Sequence, residues 1–229
     1  MPGFTVSQSQ VELESRFEPR LWALVHDTPS LYEALLRNLG PLGLAATDVR
    51  PITGDGSIGS AGLEFWLFAF QATIRLRLES FTAQCNSLAR VGRDQFISLV
   101  GGTTAAIEQA SRSAFKFRGH TLSYSCHGTV DGMKSAEFIR QFAPQGPKIE
   151  QMGESIASGT ALYYGPAEPV LSSIVTLDPS RVIDGGLFLR VVIITDGSLK
   201  TADEITRFAD ARLSKVFAAL NLDVKEWWS

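Results

Sequence analysis

From Phe70 to Leu78 the chain alternates strictly. Phe70, Ala72, Ile74, Leu76 and Leu78 fall on one side, and Gln71, Thr73, Arg75 and Arg77 on the other. A two-residue period belongs to a β-strand, because successive side chains leave opposite faces of the pleat. This strand therefore buries one face and leaves the other polar. The residues before it, Leu63 to Phe70, are apolar at nearly every position and read as the same long strand in a part covered on both sides. The period recurs elsewhere. Val11, Leu13, Ser15 and Phe17 alternate with Glu12, Glu14 and Arg16, and residues 115–130 alternate with a bend expected near Gly119. Leu187 to Thr195 is almost wholly apolar and reads as a central strand.

Helix signals separate these strands. Thr28 is placed to cap a helix that has Pro29 in its first turn, carries Leu31, Leu35 and Leu39, and stops at Gly40-Pro41. Asp94 is placed to cap a second helix reaching Ala110, with Phe96, Leu99, Val100 and Ile107 inward. Gly101-Gly102 inside that helix costs about 1 kcal/mol per glycine relative to alanine, so a close packing contact or a local break is expected there. A short helix is expected over 134–143, with Phe138, Ile139 and Phe142 inward and Pro144 to Pro147 after it. Residues 158–177 read as one or two strands, interrupted by Gly165-Pro166 and Pro169 at an edge or hairpin. Thr201 and Glu204 spell a capping box, and Ile205, Phe208, Leu213, Val216, Phe217 and Leu220 follow at helical spacing.

These elements predict an α+β fold, mainly antiparallel, with one or two curved sheets and helices packed on one face. Both halves run strand, short helix, long strands, longer helix. An internal duplication of that unit is the expected plan, resting on the order and length of elements. The expected divisions are a flexible polar N-terminus over residues 1–10, a first half over 11–114 and a second over 115–229, with one continuous domain as the alternative.

The chain has 229 residues, 45% of them hydrophobic and 20% charged, enough to bury a sizeable core. Its net charge of −3 gives no basic excess, which disfavours nucleic acid as a partner. No apolar run approaches the roughly 20 residues of a membrane span, and MPGFTVSQSQ has no signal-peptide pattern, so a soluble cytoplasmic protein is expected. Cys85 and Cys126 belong to no CxxC pair and read as two buried free thiols, with a disulfide between them left open.

Chemistry-bearing motifs are few. Gly54, Gly56 and Gly59 have the GxGxxG spacing, but the residues after Gly62 alternate like a strand where a nucleotide-binding motif needs a helix, so a hairpin loop is the better reading. His120, Cys126, His127 and Asp131 cluster in sequence. On a strand Cys126 and His127 face opposite ways, and six residues separate His120 from Cys126 by about 20 Å, so neither a thiolate–imidazole pair nor a metal site is expected. There is no HExxH, GxSxG or P-loop. Accordingly no catalytic residue, metal or cofactor is expected, and the leaning is away from an enzyme. Glu12 with Glu14, and Arg75 with Arg77, share strand faces. The candidate binding residues are Thr73, Arg75 and Arg77 on a polar sheet face, His120, and the aromatic pairs Tyr163-Tyr164 and Trp227-Trp228, since tyrosine and tryptophan tolerate a half-wet interface.

Leu122-Ser-Tyr124, Phe138-Ile-Arg140, Leu187-Phe-Leu-Arg-Val-Val and the helix from Ala202 to Leu220 together resemble the C-terminal layout of a sporadically distributed bacterial family of uncharacterised function. Val11 to Phe17 resembles that family's opening strand, while Arg190 stands where the family carries an acidic residue. The resemblance implies a fold and no mechanism. The expected function is a non-catalytic binding or assembly protein acting through protein–protein contacts, with self-association as a homodimer. The alternative is a small-molecule-binding cavity protein or enzyme whose curved sheet wraps the C-terminal helix.

Overall fold

The computed structural model describes residues 1–52, 57–111, 115–142 and 159–224. Among these residues nine strands form one curved antiparallel sheet. In chain order they are β1 (Phe4–Glu18), β2 (Val49–Pro51), β3 (Gly62–Leu67), β4 (Ala72–Arg77), β5 (Ser80–Cys85), β6 (Lys116–Val130), β7 (Thr160–Tyr164), β8 (Val170–Pro179) and β9 (Leu187–Asp196). The helices are α1 (Ala23–His26), α2 (Thr28–Leu39), α3 (Leu88–Val91), α4 (Arg93–Ser111), α5 (Ser135–Ile139) and α6 (Ala202–Ala219). The sheet order is β2-β3-β4-β5-β1-β6-β9-β8-β7. The two 15-residue strands, β1 and β6, lie side by side at its centre. Outward from them run β5-β4-β3-β2 on one side and β9-β8-β7 on the other.

The two-residue period decides which face the helices cover. Val11, Leu13, Ser15 and Phe17 of β1 point to the same side as Leu122, Tyr124 and Cys126 of β6 and Leu189, Val191 and Ile193 of β9, and all are buried. From the first half, Phe65, Ile74, Leu76, Phe81 and Ala83 join the same contiguous core. On this side α6 lays Ile205, Ala209, Leu213 and Phe217 inward, and the Phe217 ring meets Tyr124 edge-on at 6.3 Å. Helices α4 and α6 are tied by Arg93 Nε donating to Asp210 Oδ2 at 2.9 Å. No helix among the described residues is long and apolar enough to cross a membrane.

Several expectations are corrected. Residues 4–10 are not loose. They extend β1 and pair with β6 from Phe4↔Val130 to Gln10↔Ser125, and the Phe4 side chain is buried. Their polar composition hides this, because the hydrogen bonds that order them come from a strand more than 100 residues away. Leu63 to Leu78 is not one long strand. It folds back as the β3–β4 hairpin, with Phe68, Ala69 and Phe70 all at positive φ (55°, 52° and 68°). Such a turn usually advertises itself with glycine or asparagine, and here it does not. Phe70 consequently stands exposed in the turn instead of joining Ala72 and Ile74. Thr28 does not cap α2. It is the first helical residue, and its hydroxyl donates to Leu24 O at 3.3 Å. Among the described residues the helix expected over 134–143 is Ser135–Ile139; the strands expected over 158–177 are found, as the β7–β8 hairpin from Thr160 onward. Of the two outcomes expected at Gly101-Gly102 the close packing contact is found, at Gly102, and the helix is unbroken. Gly54, Gly56, Pro144 to Pro147 and Trp227-Trp228 lie outside the described residues.

Candidate functional site

The side of the sheet away from the helices carries the polar positions of the central strands. Registers lay them out in rows. Glu12 lies opposite Gln84 on β5 and Ser123 on β6, and Ser123 opposite Val192 on β9. In the next row Gln10 faces Ser125, and Ser125 faces Arg190; beyond it Gln8 faces His127, and His127 faces Phe188. Apart from Gln84 and Val192, these side chains line an open polar hollow of about 350 Å3 at the sheet centre, together with Asn86 just past the end of β5. Arg190 Nε donates to Ser123 Oγ at 3.1 Å. Gln84 donates to Asn86 Oδ1 at 2.9 Å. His127 lies against the Phe188 ring at 4.8 Å, with Nδ1 2.8 Å from Ser180 Oγ, and burial lowers its pKa.

The Arg75 and Arg77 face looked available in the sequence, but its charges are engaged. Arg75 is bound to Glu64 at 2.6 Å, Arg77 Nη1 donates to Ser60 O at 2.5 Å, and Thr73 is buried. Nearby, Arg16 pairs with Glu14 at 3.0 Å and Arg50 lies over the Trp66 ring at 5.1 Å. Toward the opposite edge the face becomes apolar, with Val192, Ile194 and Ile174 in adjoining rows. There Tyr163 of β7 stands 76% exposed. Tyr164, its neighbour on the other side of β7, is 48% exposed.

His120 is on the helix-covered side, 3% exposed, in a cross-strand row with Ser15 and Thr195. Its Nε2 lies 3.0 Å from the Leu199 carbonyl and its Nδ1 3.0 Å from Ser15 Oγ. Burial lowers its pKa most, with Lys200 adding to the shift. A hydroxyl–imidazole contact is the start of a nucleophile–base pair, but Ser15 is fully buried. Cys85 and Cys126 are free and buried; burial raises both thiols, Cys126 to about 12. Among the described residues no group of three or more His, Cys, Asp or Glu side chains could hold a metal ion.

Beside α6 the helix-covered side holds a mainly apolar cavity of about 500 Å3, walled by Leu162, Val191, Ile193 and Val216, with Arg212 and Lys215 also lining it. The core directly beneath α6 is filled by Leu213 and Phe217, so the space lies between the helix and the β7–β9 strands. Sequence reasoning noted Glu12 only as sharing a strand face with Glu14, and none of its candidate binding residues lines the hollow; Gln10, Ser123, Ser125, Asn86 and Arg190 were missed. The signal for those on β1 and β6 is a polar residue at every second position, which becomes a site once those strands are paired.

No family model matches the chain, and no curated protein matches it. Among solved structures, the rolling circle replication initiator protein from Geobacillus stearothermophilus is similar at 11% identity, over 86% of this chain and 76% of that one, with a TM-score of 0.34. The Methanococcus jannaschii TBP is similar at 11% identity, over 96% of this chain and 99% of that one, with a TM-score of 0.33. At these scores neither likeness carries an argument about function.

Proposed function

We propose that this is a non-catalytic binding and assembly protein that pairs with a second copy of itself through the β7 edge. The supporting observation is the contrast between the two sheet edges. At one end β2 is three residues long, carries Arg50 and finishes in Pro51, the short charged ending that discourages pairing. At the other end β7, Thr-Ala-Leu-Tyr-Tyr, has no charge, proline or bulge, and among the described residues it is paired only with β8. A twofold axis would set β7 antiparallel to its copy, satisfying the same backbone groups in both chains. Tyr163 and Tyr164 would then bury area on opposite sides of the joined sheet. The two free, buried cysteines fit a reducing, cytoplasmic setting. The mirrored strand orders about the β1–β6 pair, each half ending in a long helix, support reading the halves as copies of one unit. Sedimentation equilibrium tests the assembly: the wild type is expected to dimerise and Tyr163→Lys to be monomeric with an unchanged circular dichroism spectrum. A wild type that stays monomeric at every concentration, or a Tyr163→Lys dimer of unaltered affinity, sinks the reading.

A second reading rests on the apolar cavity beside α6, whose size and lining suit a small apolar molecule. Titration with an apolar fluorescent probe is expected to give saturable binding that Val191→Trp abolishes by filling the space. A probe signal indifferent to that substitution argues against it.

A further inference from the structure

At the centre of the open face, one acid and one base look into the same hollow without neutralising each other. The neighbouring carboxylates are matched: Glu14 holds Arg16 and Glu64 holds Arg75. Glu12, half-buried between its neighbours on β1, accepts no hydrogen bond and forms no ion pair among the described residues. Across the hollow Arg190 spends Nε on Ser123 Oγ, which leaves the two terminal NH2 groups of its guanidinium to donate elsewhere. Glu12 is on β1 and Arg190 on β9, with β6 between them. Two strand spacings across and a two-residue offset along the strands hold their backbones about 12 Å apart. The floor between them is uncharged and hydrogen-bonding, formed by Gln10 and Ser125, with Asn86 at the rim.

We propose that this hollow binds a small zwitterion of the free amino acid class, with its ammonium group on Glu12 and its carboxylate on the Arg190 fork. A ligand with a single charge would cover the hollow while stranding one unneutralised group, and a covered, unpaired charge is costly. A phosphate backbone would bring anions onto Glu12. A molecule carrying both charges neutralises both groups at once, and the guanidinium offers a carboxylate two parallel donors. The hollow, about 350 Å3, is at the lower end of the range for small-ligand sites, about 300–1,000 Å3. Gln10 and Ser125 lie where hydrogen bonds to the rest of the ligand would select among amino acids. The hollow lies at the sheet centre, away from β7, so it stands whether or not the chain self-associates.

The test uses the full chain and the common L-amino acids, each offered singly at millimolar concentration, with binding read by saturation-transfer NMR and isothermal titration calorimetry. At least one amino acid is expected to bind, and Glu12→Gln and Arg190→Gln each to weaken it by about tenfold or more. The corresponding decarboxylated amine and deaminated acid, offered to the wild type, are expected to bind more weakly by a similar factor. This comparison holds even if a variant misfolds. No binding by any amino acid overturns the proposal. So does affinity unchanged in either folded variant, or an amine or acid that binds as tightly as the amino acid.

Discussion

Ser15 Oγ lies 3.0 Å from His120 Nδ1, both side chains buried, and the other ring nitrogen faces the Leu199 carbonyl at 3.0 Å. A carbonyl only accepts, so Nε2 carries the proton and donates. Nδ1 is then the bare nitrogen and accepts from the Ser15 hydroxyl. The contact joins the two central strands within their helix-covered face, and burial favours the neutral ring that makes it.

That preference for the neutral ring sets a pH dependence. Burial depresses the His120 pKa below its ordinary value of 6.5. As pH falls below that value, the unfolded chain takes up the proton before the folded one does. Stability is therefore fully present above about 6.5 and is lost as pH falls toward the folded pKa. Asp196 and Glu204, whose pKa values are lowered from 3.8 and 4.5, act at lower pH, whereas His127 acts in the same sense as His120. Urea midpoints measured between neutral pH and about pH 5 are expected to fall for the wild type and to fall less for His120→Gln. Equal slopes in the two proteins would contradict the assignment.

The adjacent glycines of α4 are expected to respond in opposite directions. A methyl group on Gly101 would meet nothing closer than Ala202 Cβ at 3.9 Å. Gly101→Ala should therefore gain the helix preference of alanine, about 0.5–1 kcal/mol. On Gly102 the same methyl would sit 2.6 Å from Leu39 Cδ2 and 3.1 Å from the Asn38 carbonyl oxygen, where α2 crosses α4. Overpacking of that kind costs about 1–3 kcal/mol, so Gly102→Ala should be destabilised on balance and Gly102→Val more so. Chemical denaturation of the variants decides the signs.

Thr201 caps α6 by accepting from Glu204 N at 3.1 Å, while Glu204 Oε2 accepts from Thr201 N at 3.2 Å and Lys200 N at 2.7 Å. Thr201→Ala should cost about 1 kcal/mol and Thr201→Ser almost nothing. Thermal unfolding of the two variants provides the comparison. A Thr201→Ala melting temperature equal to that of the wild type would contradict the cap.

Thiol chemistry gives a direct readout of the core. Cys85 and Cys126 are buried with raised pKa values, so neither presents a thiolate near neutral pH. Ellman's reagent is expected to find no reactive thiol in the native protein and both after denaturation without a reductant. Rapid labelling of Cys126 in the native state would mean that the sheet centre opens.

Much of the local structure is written in the sequence, because short-range rules act over a few residues. The Thr201–Glu204 box, the leucine spacing of α2 and the alternation of β1, β6 and the Ala72–Arg77 strand each declare an element and its buried face. What the sequence leaves open are decisions made by partners remote in the chain. Phe4–Gln10 becomes strand only because β6 supplies its hydrogen bonds, and Phe68–Phe70 turns without glycine because β3 and β4 gain each other's pairing. Glu12 and Arg190 are 178 positions apart, which is the difference of their residue numbers, and neither is conspicuous alone. The sequence by itself determined that this chain would build a sheet with one apolar and one polar face. Only the tertiary structure decided that two long central strands would bring that acid and that base to one hollow, because strand order and register depend on pairing energies summed over the whole sheet.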